Sequence, residues 1–180
     1  TLAVFVLGIW MLTLYATRLL RADMERMLGA QQFQAVSVMA YDIDRAVSER
    51  VQALQGVARL VTPAMLNDSV ALQAWLDQRV VSPFFNGGAW VAGADGVVLA
   101  DVPRSAGRVG VSYKDREHVA AVLRDGKPVI SRPVLGKKRN LPLISMVVPV
   151  LDAQGRVIGV LTGVTDLDKP NFLDKIAQSR

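Results

Sequence analysis

Residues 113–136 read YKDREHVAAVLRDGKPVISRPVLG, and how this stretch folds decides the rest of the chain. An Asp-Arg pair, the single histidine, a short helical pattern and a Gly-Lys-Pro stop follow one another closely. Three functions compete for it: a catalytic site, a binding site for something acidic, or a plain helix feeding a strand. The pattern predicts a helix over DREHVAAVLRDG, capped at its start by Asp115 and ended by Gly126 in the left-handed region.

Working outward, the period downstream changes from 3.6 to 2. VISRPVL, LISMVVPVLD and RVIGVLTGVTDL are expected to be three strands. Gly136–Asn140 and Ala153-Gln154-Gly155 form the turns between them. Pro133 and Pro149 demand strand ends, bulges or places where no ladder donor is needed. Upstream, AWVAGADGVVLADV carries a hairpin signal around Ala94-Asp95-Gly96. Before it, Asn67 or Asp68 can cap a helix SVALQAWLDQRVV, which ends at Ser82-Pro83.

Earlier still, apolar residues recur at helical spacing from Leu20 to Val61, with Met24, Met27, Phe33, Val36, Met39, Ile43, Val47, Val51, Leu54 and Val57 between them. This predicts one long amphipathic helix over 21–62, broken at Thr62-Pro63. At ~1.5 Å per residue, forty residues span about 60 Å, more than a small domain needs. Part of the stripe therefore packs on the domain, and part is available to a second copy. The first seventeen residues hold no charge, and residues 1–20 approach the ~20 apolar residues of a membrane helix. Arg18, Arg21 and Arg26 flank that run, but the chain opens on Thr1, so a further N-terminal flank is expected and charge alone leaves orientation open. The order long helix, short helix, hairpin, helix, three strands gives an α+β domain. It has about five antiparallel strands, helices on one face, and room for a pocket on the other.

Composition narrows the function. The 180 residues are 51% hydrophobic and 21% charged with net charge +5, which suits a folded chain and invites a nucleic-acid partner. The basic residues are dispersed except at Lys137-Lys138-Arg139, and no aromatic platform accompanies them, so nucleic acid is set aside in favour of a membrane surface or an anionic ligand. One histidine and no cysteine exclude cysteine catalysis and histidine-rich metal sites. No cofactor or metal is expected. Asp166 and Asp168 are more economically a solvated turn than a catalytic pair, so no enzyme is expected in this chain.

The ordered set Asp115-Arg116, Ile130-Ser131-Arg132-Pro133-Val134, Val148-Pro149-Val150, Gly155, Gly159-Val160-Leu161 and Asp166-Leu167 resembles the Cache sensor family, specifically the membrane-distal module of the double-Cache type. The resemblance covers about residues 20–168, and the Cache module itself falls over 63–168. It implies a PAS-like extracytoplasmic fold, in the periplasm or outside the cell, anchored in the inner membrane and binding a small metabolite. It further implies a cytoplasmic output domain, as in bacterial transmembrane diguanylate cyclases and histidine kinases. Residues 169–180 look like the start of the membrane-proximal segment. Where relatives carry an aromatic pair after Asp-Arg, this chain has His118 and Val119, and the closely spaced arginine, tryptophan and tyrosine of the amino-acid-binding pattern is absent. An amino-acid ligand is therefore disfavoured, and carboxylates, other small anions or no ligand stay open.

Anion binding needs a fixed, always-charged donor, and arginine supplies a planar fork. Arg116, expected in the first helical turn, adds free N–H groups and the dipole to that charge. Tyr113 offers a hydroxyl and a wall, His118 a further donor, and Ser131 and Ser145 hydroxyls on adjacent strands. Asp166 can hold an ammonium or orient Arg116. The plainer alternatives are Asp115 as a cap, Arg116 paired with Asp166 or Glu117, and His118, Ser131 and Ser145 as ordinary packed residues. Two functions follow: a homodimeric sensor passing a ligand signal down the long helix, or a periplasmic interaction module without a small-molecule ligand.

Overall fold

The computed structural model describes residues 10–11, 37, 40–78, 84–138 and 140–174. The expected membrane helix over 1–20 lies outside these, apart from Trp10 and Met11, which are helical and exposed. Among the described residues no helix is long and apolar enough to cross a membrane. Most of the long helix before residue 40, and the segment 175–180, also lie outside. The chain divides into two compact units, 1–44 and 45–180, and the second holds the fold that follows.

Helix α1 runs over 45–58 in this unit, and 40–44 are helical too. Val47, Val51, Leu54, Ala58 and Val61 recur every three or four residues, so they share one face, and Leu54, Ala58 and Val61 are buried. Arg45 and Glu49 pair at 2.8 Å on the solvent side. After α1, Thr62 Oγ1 accepts from the Met65 N–H at 3.3 Å with Pro63 at the first helical position, giving the one-turn helix α2 (Pro63–Leu66). Asp68 then caps α3 (Ser69–Asp77), its Oδ1 accepting from the N–H groups of Val70 and Ala71. The helix expected to reach residue 81 ends at Asp77, with Gln78 as its C-cap.

Strands β1 (Ala89–Gly93) and β2 (Val98–Val102) form the expected hairpin. Asp95 Oδ1 accepts from the Val97 N–H, and Gly96 takes φ +78, which an L side chain rarely adopts. A single-turn 3-10 helix, Arg104–Ala106, follows. Helix α4 (Glu117–Asp125) leads through Gly126 at φ +64, whose N–H bonds Val122 O. The sheet is completed by β3 (Val129–Ile130), β4 (Val134–Leu135), β5 (Pro142–Leu151) and β6 (Val157–Asp166) in the order β2-β1-β6-β5-β3, with β4 also on β5. All pairings are antiparallel.

Among the described residues six strands stand where about five were expected. VISRPVL does not run as one strand, because Pro133 has no N–H to donate; its two ends pair separately with β5, Val129 opposite Val147 and Val134 opposite Leu143. Pro149 sits beyond the β3 pairing, where only β6 flanks β5.

Alternation along the strands divides the core in two. Ala89, Val91, Met146, Val148 and Leu161 pack beneath α1 and α3 with Leu54, Leu72, Leu76 and Phe85. Trp90, Ala92, Val147, Val160 and Val164 point the other way, against Val119 and Val122 of α4 and against Tyr113. Helices α1, α2 and α3 thus cover one face, while α4 covers only part of the other. That partial cover leaves a cleft.

Close approach of β1 and β6 depends on Gly159. A Cβ there would stand 2.4 Å from Ala92 O, a backbone atom that cannot step aside. Gly159→Ala is expected to cost about 1–3 kcal/mol, the usual range for forcing atoms into a packed core. A melting temperature within a degree of wild type would show that the two strands can part there.

Candidate functional site

The cleft on the α4 side of the sheet encloses about 690 Å³ counted to its open mouth. Its apolar lining is Trp90, Val134, Leu141, Leu143 and Val164. The aromatic wall is built by stacking: Trp90 and Tyr113 rings lie 4.8 Å apart at 30°. Tyr113 is held there by its own N–H to Gly96 O at 2.9 Å, across the hairpin turn. Burial is the largest effect on the Tyr113 phenol and raises its pKa, so it enters any interaction as a neutral O–H.

The structure brings Tyr113, Arg116, His118, Ser145 and Asp166 to the cleft lining and leaves Ser131 out of it. Ser131 instead bridges to β5: its N–H donates to Ser145 O at 2.8 Å and its Oγ accepts from the Ser145 N–H at 2.9 Å. It holds Ser145 in place.

Arg116 is the N-cap of α4, one position before the expected first turn, and makes no side-chain cap bond. Its Nη2 donates to Leu135 O at 3.0 Å. Among the described residues no carboxylate lies within ion-pair distance of it, so neither Asp166 nor Glu117 neutralises it. Asp115 does not cap α4. It reaches instead to Lys137 Nζ at 2.5 Å, and that ion pair, the largest influence, lowers the Asp115 pKa. Lys137 also donates to Ser112 O at 2.8 Å and stands 5.3 Å from the Tyr113 ring centre. Lys137 and Arg116 therefore fasten the 135–137 segment to the loop before α4.

Asp166 closes the far end of the cleft, buried at the end of β6. Its Oδ1 accepts from the Asp168 N–H at 3.0 Å, and Lys169 Nζ is 3.7 Å from Oδ2. The proposed orientation of Arg116 by Asp166 is therefore not present.

Two residues were missed. Asp101 on β2, fully buried, pairs with Arg108, 7% exposed, at 2.7 Å, and Arg108 lines the cleft floor. Arg108 also donates to the carbonyls of Gly87 and Val102. An aspartate in the apolar run VLADV was the available signal, since such a carboxylate requires a cation.

His118 is buried, and desolvation first, then the Arg116 charge, depress its pKa below the ordinary 6.5, with Glu117 acting weakly the other way. The folded protein thus holds it neutral. Between the folded and unfolded values the unfolded chain binds more protons, so stability is full above about 6.5 and falls as the pH drops below it. His118→Gln should flatten that slope in melting curves taken from pH 7 to 5. An unchanged slope would assign the acid loss to other groups.

No family model matches the chain, and no curated protein matches it by sequence. Solved structures do. The ligand-binding domain of the Pseudomonas aeruginosa PAO1 amino acid chemoreceptor PctC, in complex with GABA, is 21% identical, covering 71% of this chain and 60% of that one at a TM-score of 0.58. That of the Pseudomonas fluorescens chemoreceptor CtaA, in complex with L-serine, is 18% identical over 73% and 56%, TM-score 0.59. An extracellular ligand binding receptor from Desulfohalobium retbaense is 21% identical over 79% and 24%, TM-score 0.52. The chain therefore spans between a quarter and three-fifths of these proteins. The fold they share with it is that of the Cache-type sensor domain.

Proposed function

We propose that this chain is the extracytoplasmic part of a membrane-anchored bacterial receptor, and that its cleft binds a small metabolite through an anionic group, a carboxylate above others. The observation that carries this reading is Arg116, a guanidinium on the wall of a largely apolar cleft with no carboxylate partner among the described residues. A charge left without its counter-ion in such surroundings is a standing attraction for an anion. Tyr113, His118 and Ser145 supply neutral donors around it, Ser131 positions Ser145, and Asp166 is placed to take an ammonium if the ligand carries one. The chemoreceptor domains of similar fold were solved with GABA and L-serine, both of which pair a carboxylate with an amine.

In this reading the chain is a binding module rather than an enzyme. A homodimer meeting along the long helix carries the signal to a cytoplasmic output domain of the cyclase or kinase kind. A ligand moves that equilibrium only by binding two arrangements of the helix unequally.

A thermal-shift screen with simple carboxylates, dicarboxylates, amino acids and uncharged amides tests it. Ligand at a hundred times its Kd stabilises by ~2.7 kcal/mol. Stabilisation by carboxylates and none by the matching amides is the expected result. Silence across the whole series would favour the interaction module without a ligand.

A further inference from the structure

A second cleft lies on the other face of the sheet, between α1 and the segment leaving β6, lined by Arg50, Phe84, Asn86, Thr165, Asn171 and Phe172 among others. Thr165 and Asp166 are neighbours on β6 and so face opposite sides, one toward each cleft. Two features of this second cleft are individually costly and are found together.

The first is Arg50. Its Nη1 donates to Ala46 O at 2.8 Å, its Nε to Phe84 O at 3.2 Å, and its guanidinium lies 4.1 Å from the Phe172 ring centre. Among the described residues no carboxylate is within ion-pair distance of it. Burial lowers its pKa, and the nearby Glu49 charge offsets that in part.

The second is Thr165, 2% exposed, whose Oγ1 has no hydrogen-bond partner among the described residues. Buried hydroxyls without partners are rare because desolvation is left uncompensated. The neighbouring asparagines are engaged elsewhere. Asn86 spends both amide protons on Asp166 O and Pro170 O, and its Oδ1 accepts from the Asp166 N–H. Asn171 Nδ2 is occupied by Lys169 O and Asp174 Oδ1.

We propose that this cleft is a second anion site, taking a carboxylate or a small oxyanion such as phosphate between the Arg50 guanidinium and the Thr165 hydroxyl, with Phe172 as its wall. An acceptor oxygen held by Arg50 serves the Thr165 hydroxyl as well once that side chain turns its fully covered Oγ1 toward the cleft, which neither a cation nor an apolar ligand does. The site is independent of Arg116. Because Asn86 clasps the Asp166 backbone from both sides, occupancy is also felt at the end of β6, where the first cleft begins.

The test is an NMR titration of the ¹⁵N-labelled full chain with sodium acetate and, separately, inorganic phosphate, at ionic strength held constant with chloride. The expected result is saturable shifts at the amides of Asn86, Thr165 and Asn171. Arg50→Gln should weaken the response at least tenfold and Thr165→Val at least threefold, while Arg116→Gln leaves it intact. Should Arg50→Gln fail to fold, the near-isosteric Thr165→Val decides alone. Shifts that do not saturate, that survive both substitutions, or that vanish with Arg116→Gln overturn the proposal. Saturation by one probe only, acetate or phosphate, assigns the chemical class.

Discussion

Asp101→Ala is expected to destabilise the domain by about 3–5 kcal/mol, the cost of leaving a buried charge without its partner. For a unit of this size that corresponds to a fall in melting temperature of roughly 10–20 °C. Asp101 is fully buried, and every polar atom of its side chain is used by Arg108: Oδ1 by Nε at 2.7 Å, Oδ2 by the backbone N–H at 2.9 Å. Its backbone is equally committed. Gln73 of α3 donates to Asp101 O at 3.0 Å and accepts from the Asp101 N–H at 2.9 Å, closing the outer edge of β2. Removing the carboxylate therefore leaves Arg108 charged and near-buried without the counter-ion that pairs with it at 2.7 Å. The paired replacement Asp101→Leu with Arg108→Met should recover much of the loss, because an apolar pair of similar volume avoids desolvating either charge. A single-variant loss under 1 kcal/mol would mean that water reaches the pair.

That ion pair also marks how far the sequence could be read. Periodicity was enough for the hairpin, for α4 and for the long strands β5 and β6, because each repeats its pattern over several residues with a glycine at the turn. It was not enough where a single atom decides. The missing N–H of Pro133 split one strand into two, and the carboxylate of Asp115 found Lys137, distant in sequence, rather than the helix N–H groups beside it. Both outcomes depend on partners that only the closed sheet brings near.

The candidate site divides in the same way. Tyr113, Arg116 and His118 lie within six residues of one another, so local pattern placed them together. Asp101 and Arg108 are also close in sequence, but their pairing needs β2 to be an edge strand with its inner face under the cleft. Ser131 was named for its hydroxyl, and the hydroxyl is spent on the Ser145 N–H. The second cleft was beyond reach, since Arg50 and Thr165 are separated by most of the fold.

Arg116→Gln is expected to weaken the binding of whichever carboxylate emerges from the screen by roughly 10- to 100-fold, the range for losing a hydrogen bond to a charged group. The amide keeps a donor and much of the volume but loses the charge and the fork. Arg116→Lys should fall between the two, because a point charge restores attraction without two-pronged geometry. The ligand-free variants ought to melt close to wild type, since the Arg116 side chain contributes one hydrogen bond, to Leu135 O, and none to the helix N-terminus it stands at. That control separates lost recognition from lost folding. If affinity for the carboxylate is unchanged in Arg116→Gln but lost in Arg50→Gln, the second cleft is the principal site and the signal starts on the α1 side of the sheet. If affinity survives in both, charge recognition by arginine is wrong and the neutral donors Tyr113, His118 and Ser145 are the next to replace.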